Sequence, residues 1–158
     1  MNVLNEAGGE GWHAYNGDCV EVIKALPDAS VGLSIFSPPF RDIFVYSDSP
    51  RDMGNCATAA EFDAHYAFLA RELFRITKPG RLCAVHCSDL PRHKWKEGVV
   101  AATDFPGDLI RIHEAAGWVY DCRVTIWKDP VTEMQRTKAL GLLHKTIRKD
   151  SCMSRQGI

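Results

Sequence analysis

Two hydrophobic periods alternate along this chain, the helical one and that of buried strands. Residues 13–16 read as a short strand closed by Gly17-Asp18, after a Gly-rich, frayed lead-in over residues 1–11. Cys19, Val22, Ile23 and Leu26 then form an apolar stripe at helical spacing, with Asp18 placed to accept hydrogen bonds from the free N–H groups of the first turn. Pro27-Asp28 ends that helix. Val31–Phe36 follows as a continuously apolar strand, the pattern of a sheet covered on both faces. Thr58-x-x-Glu61 is a capping box, and behind it Phe62, Tyr66, Leu69, Leu73 and Ile76 recur at spacings of four, three, four and three. Lys78-Pro79-Gly80 stops this helix, and residues 82–87 form the next strand. Asp104 caps a third helix carrying Phe105, Leu109, Ile112 and Ala116 on one face; Gly117 closes it. Residues 119–127 alternate like a strand, with Cys122, Val124 and Ile126 on one side.

The order β-α-β-α-β-α-β predicts an α/β fold, a three-layer arrangement around a mostly parallel sheet. Residues 41–55 form a long loop punctuated by Asp, Ser, Pro and Gly, and residues 88–103 begin polar and irregular. Residues 140–147 look helical, but no core pattern follows them. A sheet of about four strands is small for a doubly wound domain. The expectation is one partial domain over residues 1–158, belonging to a larger fold.

Composition narrows the class. At 158 residues and 46% hydrophobic content the chain can bury a real core. No apolar run approaches the roughly 18 residues of a membrane span, and the first residues lack a signal-peptide pattern. Cys19, Cys56, Cys83, Cys87, Cys122 and Cys152 are scattered through strand and helix patterns, as buried thiols of a cytosolic protein would be. The net charge of −1 excludes a strongly basic nucleic-acid binder. Between residues 136 and 155, however, Arg136, Lys138, Lys145, Arg148, Lys149 and Arg155 face only Asp150. On charge alone that stretch is equally a phosphate-contacting tail or a solvated helix face.

The chemistry concentrates in Ser37-Pro38-Pro39-Phe40, at the carboxyl end of the strand over Val31–Phe36. Two prolines cannot donate to a sheet ladder, and they fix the backbone as it leaves the strand. A hydroxyl, a proline carbonyl and an aromatic ring are thereby presented at the edge where open α/β sheets bind ligands. That set suits a planar substrate with an amino group, such as a nucleobase. Cys83-x-x-His86-Cys87 is not a zinc site. Residues four apart on a strand are separated by about 13 Å, and His86 points away from both cysteines. His86 and Ser88-Asp89 are candidates for the site by their place at the strand end.

These residues resemble the amino (exocyclic) DNA methyltransferases in the circularly permuted beta-class order. Their catalytic motif is Asp, Asn or Ser, then Pro-Pro, then an aromatic, and Ser37-Pro38-Pro39-Phe40 matches at each position. Asn16-Gly17-Asp18-Cys19, Leu26-Pro27-Asp28 and the apolar strand resemble the family's lead-in, and Trp127-Lys128 resembles its later aromatic-bearing strand end. The resemblance implies a partial Rossmann-like methyltransferase fold, S-adenosyl-L-methionine as cofactor and double-stranded DNA as partner. It implies no metal, and a cytoplasmic enzyme of bacterial or phage origin working beside a cognate restriction endonuclease.

By the same resemblance a flipped-out base donates its amino group to Ser37 Oγ and the Pro38 carbonyl, while Phe40 stacks on it. Asp18, Ser37 and Pro38 are the implied cofactor contacts, although helix capping alone accounts for Asp18. Phe44 and Tyr46 are base-contacting or lid residues, or else hydrophobic anchors of their loop. Trp127 is a base platform or a packed strand-end aromatic. Arg136, Lys138, Lys145, Arg148 and Lys149 become candidate phosphate contacts. The serine leans the target toward cytosine N4 over adenine N6. The family's aromatic-x-Gly-x-Gly cofactor signature is absent, and Gly8-Gly9-Glu10-Gly11 does not replace it, having no strand before it and no helix after. The chain is therefore expected to be the N-terminal catalytic half, binding the cofactor weakly by itself. The competing classes are another S-adenosylmethionine-dependent N-methyltransferase acting on a small molecule or protein amide, a nucleotide-binding α/β module, and a non-catalytic DNA-binding remnant.

Overall fold

The computed structural model describes residues 3–127 and Asp129. The first difference from expectation is at the amino end. Asn5–Gly9 (β1) and Trp12–Asn16 (β2) pair as an antiparallel hairpin, so the Gly-rich stretch is ordered. Glu10-Gly11 makes the reversal, and Gly11 adopts φ +77°, which side-chain-bearing residues disfavour. The glycines that weaken a strand pattern in sequence are what permit this tight turn.

Cys19–Lys24 forms α1, capped by Asp18 Oδ1, which accepts from the N–H groups of Val20 at 2.9 Å and Glu21 at 3.4 Å. Ala59–Ile76 forms α2, with Thr58 Oγ1 accepting from Glu61 N and Glu61 Oε2 accepting from Ala57 N. Arg75 of α2 holds the far end of α1. Its guanidinium donates to the carbonyls of Leu26 at 2.9 Å and Ile23 at 3.1 Å, groups that a helix end leaves unpaired, and to Asp28 at 2.5 Å.

Val31–Phe36 (β3) pairs in parallel with Thr77–Val85 (β4). The second strand begins directly at the end of α2, earlier than its apolar run suggests. Register steps from Val31↔Thr77 to Leu33↔Leu82, so residues 78–81, with a proline that cannot donate, lie in an irregularity. One sheet face carries Ser34, Phe36, Cys83 and Val85, all half-buried. The other carries Leu33 and Ile35, 52% and 72% exposed.

The four-stranded parallel sheet expected from the sequence is thus corrected. Among the described residues there is one parallel pair: β2 pairs with β1 alone, and residues 119–127 form no strand. Alternating side chains do not make a strand without a facing edge to receive the backbone N–H and C=O groups, and no described strand runs beside that segment. Likewise the second apolar face of the β3–β4 pair has no described layer over it, whereas continuous apolar patterning predicted cover on both sides.

Phe105–Ala115 (α4 in chain order) is capped by Asp104, which accepts from Gly107 N at 2.9 Å. It packs on α2 through Phe62, Tyr66 and Phe105, the largest fully buried side chains. Phe62 stacks on Tyr66 at 5.9 Å and meets Phe105 at 5.6 Å. Tyr66 Oη and His113 Nε2 share a hydrogen bond of 2.9 Å, and Trp118 Nε1 donates to Ala70 O at 3.1 Å.

Two compact units result. The first comprises the residues up to Ser88 together with Asp104–Tyr120. The second holds Asp89–Thr103 and the described residues from Asp121 on. Its described elements are an antiparallel pair, Leu90–Arg92 (β5) with Ala101–Thr103 (β6), bridged by one helical turn, Lys94–Glu97 (α3).

The burial of His113 makes stability depend on pH. Burial lowers the His113 pKa from its usual value, so the folded state holds the ring neutral where the unfolded chain binds a proton. That contribution is complete above the unfolded value, about pH 6.5, and is lost as pH falls through the folded one. Urea melts are expected to weaken on acidification below this point, and Tyr66→Phe to cost about 1–2 kcal/mol at neutral pH.

Candidate active site

The site begins where the sheet ladder stops. His86 N donates to Phe36 O at 2.9 Å, extending the β3–β4 pairing by one residue. Pro38 and Pro39 then offer no N–H, and the chain departs. Ser37 is left exposed at this edge, with Oγ donating to the His86 carbonyl at 3.0 Å and lying 3.5 Å from His86 Nδ1. A hydroxyl has one proton and two lone pairs. Once its proton is committed to the carbonyl, Ser37 faces any further ligand as an acceptor. Pro38 is buried, and Phe40, half-buried, meets Phe105 edge-to-face at 6.0 Å. All four motif residues therefore lie together, on a turn held from below by α4.

The residue that holds it is one the sequence pattern did not single out. Arg41 follows Phe40 with φ +51°, in the left-handed region. Its side chain is 13% exposed and reaches Asp108 Oδ2 at 2.6 Å and Asp63 Oδ1 at 3.4 Å. The guanidinium also sits 5.4 Å from the centre of the Phe105 ring, and its buried Nε has no hydrogen-bond partner among the described residues. An unfavourable backbone angle next to the motif is thus maintained by an ion pair to two different helices. No spacing rule links residues 41, 63 and 108, so the sequence carries no signal for this contact.

Ser37, Pro38 and Pro39 border a cavity of about 820 Å³. Ile23, Leu69 and Leu73 contribute apolar wall, and Asp18, Arg51 and Asp52 contribute polar groups. Asp18 does more than cap α1. Its Oδ2 pairs with Arg51 Nη1 at 3.2 Å, while Arg51 Nη2 reaches Glu21 at 3.1 Å. These pairs tie the loop after the motif to the start of α1.

That loop is organised by Asp52. Its carboxylate accepts from the N–H groups of Ser47 at 2.7 Å, Gly54 at 2.8 Å and Tyr46 at 2.9 Å. Burial alone would raise the Asp52 pKa, but these bonds outweigh it and hold the carboxyl below its usual value. Gly54 lies so close to the Phe44 carbonyl that a Cβ would collide with it. Phe44 and Tyr46 are carried outward, 59% and 67% exposed, so neither anchors the loop in the core.

The remaining candidates divide. Trp127 belongs to the second unit and is exposed on irregular backbone, so the packed strand-end reading does not hold. Lys128 and the basic residues Arg136, Lys138, Lys145, Arg148 and Lys149 lie outside the described residues. Burial pushes the Cys83 thiol up to about 11, keeping it protonated at neutral pH. Among the described residues no three His, Cys, Asp or Glu side chains converge on a metal position.

No family model matches the chain, and neither does any curated protein. Solved structures do. Among them are three crystal structures of TTHA0409 from Thermus thermophilus, a candidate DNA modification methylase. The selenomethionine form is 20% identical, with a TM-score of 0.51 over 71% of this chain and 46% of that one. The form complexed with S-adenosyl-L-methionine is also 20% identical, with a TM-score of 0.51 over 76% of this chain and 59% of the other. The two share a fold over that span. Likeness at this identity concerns architecture alone, and the chain spans about half the length of the structures it matches.

The Arg41 geometry separates two costs. Arg41→Ala loses the ion pairs and keeps the unfavourable angle, and is expected to cost about 2–3 kcal/mol. Arg41→Gly relieves the angle and should be less destabilised by about 0.5–1 kcal/mol, read as denaturation midpoints at constant slope.

Proposed function

We propose that this chain carries the base-holding part of an S-adenosylmethionine-dependent methyltransferase that modifies the exocyclic amino group of a base in double-stranded DNA. The observation that supports it most is the orientation of Ser37. With its proton directed to the His86 carbonyl, Oγ offers lone pairs beside the cavity, the polarity that an amino group requires.

An exocyclic amine is a weak nucleophile because its lone pair is delocalised into the ring. Hydrogen bonds from the amine to Ser37 Oγ and to the Pro38 carbonyl favour a more tetrahedral nitrogen and free that pair. Phe40 supplies the ring surface for a flipped-out base, held in place by Phe105. The exposed Phe44 and Tyr46 are suited to contact the DNA around the extruded base. Positioning accounts for much of the rate in such a site.

The cavity fits the methyl donor in kind, with apolar wall for an aromatic ring and the Asp18 carboxylate for hydroxyl or cationic groups. Asp18, Ser37 and Pro38 are the residues of this chain that would border it. When bound, S-adenosylmethionine supplies a methyl group on a sulfonium, which keeps the pair of the broken S–C bond. The basic residues from Arg136 to Lys149 are proposed phosphate contacts. The serine at the first motif position favours cytosine N4 over adenine N6.

Ser37→Ala in the full-length protein tests the mechanism. Transfer of tritiated methyl to unmethylated genomic DNA is expected to fall at least about 100-fold while DNA binding persists. Unchanged methylation would remove the reading. Mass spectrometry of digested DNA identifies the modified nucleoside, and recovery of N6-methyladenine alone would reverse the preference for cytosine.

A further inference from the structure

Ser37 has two neighbours on His86, and only one belongs to the backbone. Its Oγ lies 3.0 Å from the carbonyl and 3.5 Å from Nδ1 of the imidazole. The two residues are 49 positions apart and meet because β3 and β4 run parallel, ending at the same edge. The His86 N–H to Phe36 O bond of 2.9 Å fixes the backbone beside Ser37, and the imidazole itself is exposed.

We propose that His86 is the proton-accepting partner of Ser37, taking through it the proton that amine methylation releases. The proposal rests on the reading of the site given above. A neutral amine that bonds to methyl through its lone pair becomes cationic, and it returns to neutrality only by losing an N–H proton. The electron pair of that N–H bond stays on nitrogen. Its proton passes to Ser37 Oγ as the serine's own proton passes to His86 Nδ1. Serine ends neutral and His86 ends as imidazolium, which returns the proton to water from its exposed position.

The chemistry of the two neighbours decides between them. A peptide carbonyl can orient the hydroxyl but is too weak a base to keep its proton. An imidazole nitrogen is a base near neutral pH. The hydroxyl need only rotate from the carbonyl to Nδ1, two acceptors on one residue. A contact of 3.5 Å is long for a hydrogen bond, as relay contacts often are before substrate tightens them. His86 is thus a positioning residue for Ser37 by its backbone and a proton acceptor by its ring.

Two measurements test this, one of them independent of turnover. In protein labelled with 15N-histidine and held near about pH 9, where imidazoles are ordinarily neutral, His86 is expected as the Nε2–H tautomer. Its bare Nδ1 resonance should move on Ser37→Ala. An Nδ1–H tautomer would overturn the proposal. In the full-length enzyme, His86→Ala keeps the orienting carbonyl and is expected to lower kcat about 100-fold with KM for DNA unchanged. His86→Gln, which can hydrogen-bond but not hold the proton, should be equally slow, and added imidazole should restore the alanine variant. A rate within about threefold of wild type overturns the inference. So does a loss that imidazole fails to relieve, or one that appears as a rise in KM. Ser37→Ala measured alongside separates the two levels: if it stays active, the methyltransferase reading itself falls, whereas an inactive Ser37→Ala beside a fully active His86→Ala removes only the role of the imidazole.

Discussion

The parallel pairing of β3 with β4 is the constraint on which the site depends. Parallel strands end at the same edge of a sheet, so the residue that follows one strand is brought level with the residue that follows the other. Here those residues are Ser37 and His86, joined across the ladder by the His86 N–H to Phe36 O bond. An antiparallel pairing would have sent them to opposite ends. The prolines at 38 and 39 then end the ladder beside that hydroxyl, by removing the donors that would continue it.

Rigidity is supplied from outside the sheet. Arg41 accepts an unfavourable backbone angle and anchors the turn to Asp63 of α2 and Asp108 of α4, while Phe40 leans on Phe105. On the other side of the cavity, Asp18 caps α1 and pairs with Arg51, and Asp52 gathers three backbone donors of the intervening loop. Asp18 is a charged side chain serving two purposes, one local and one between elements. Such double use lets a loop of irregular backbone hold a defined position without a strand or helix of its own.

Much of the architecture was legible along the chain. The capping box at Thr58, the caps at Asp18 and Asp104 and the four-three stripe of α2 all form as their sequence patterns specify, because those patterns act within a few residues. The hairpin of β1 and β2 was not legible, since glycine weakens a strand signal while easing the turn that makes the strand possible. The strand expected at residues 119–127 failed for the opposite reason: its side chains alternate correctly, but its backbone finds no edge among the described residues.

By itself the sequence determined the helices α1, α2 and α4, the apolar strand, and the tetrapeptide Ser37-Pro38-Pro39-Phe40 with its acceptor-and-ring chemistry. These are local properties, set by side-chain type, spacing and the missing proline N–H. Only the tertiary structure decided that the Ser37 hydroxyl donates to the His86 carbonyl, that Arg41 reaches two helices, and that Phe44 and Tyr46 turn outward. Those contacts join residues tens of positions apart, and no periodicity along a chain encodes which distant residue a fold will bring beside a hydroxyl.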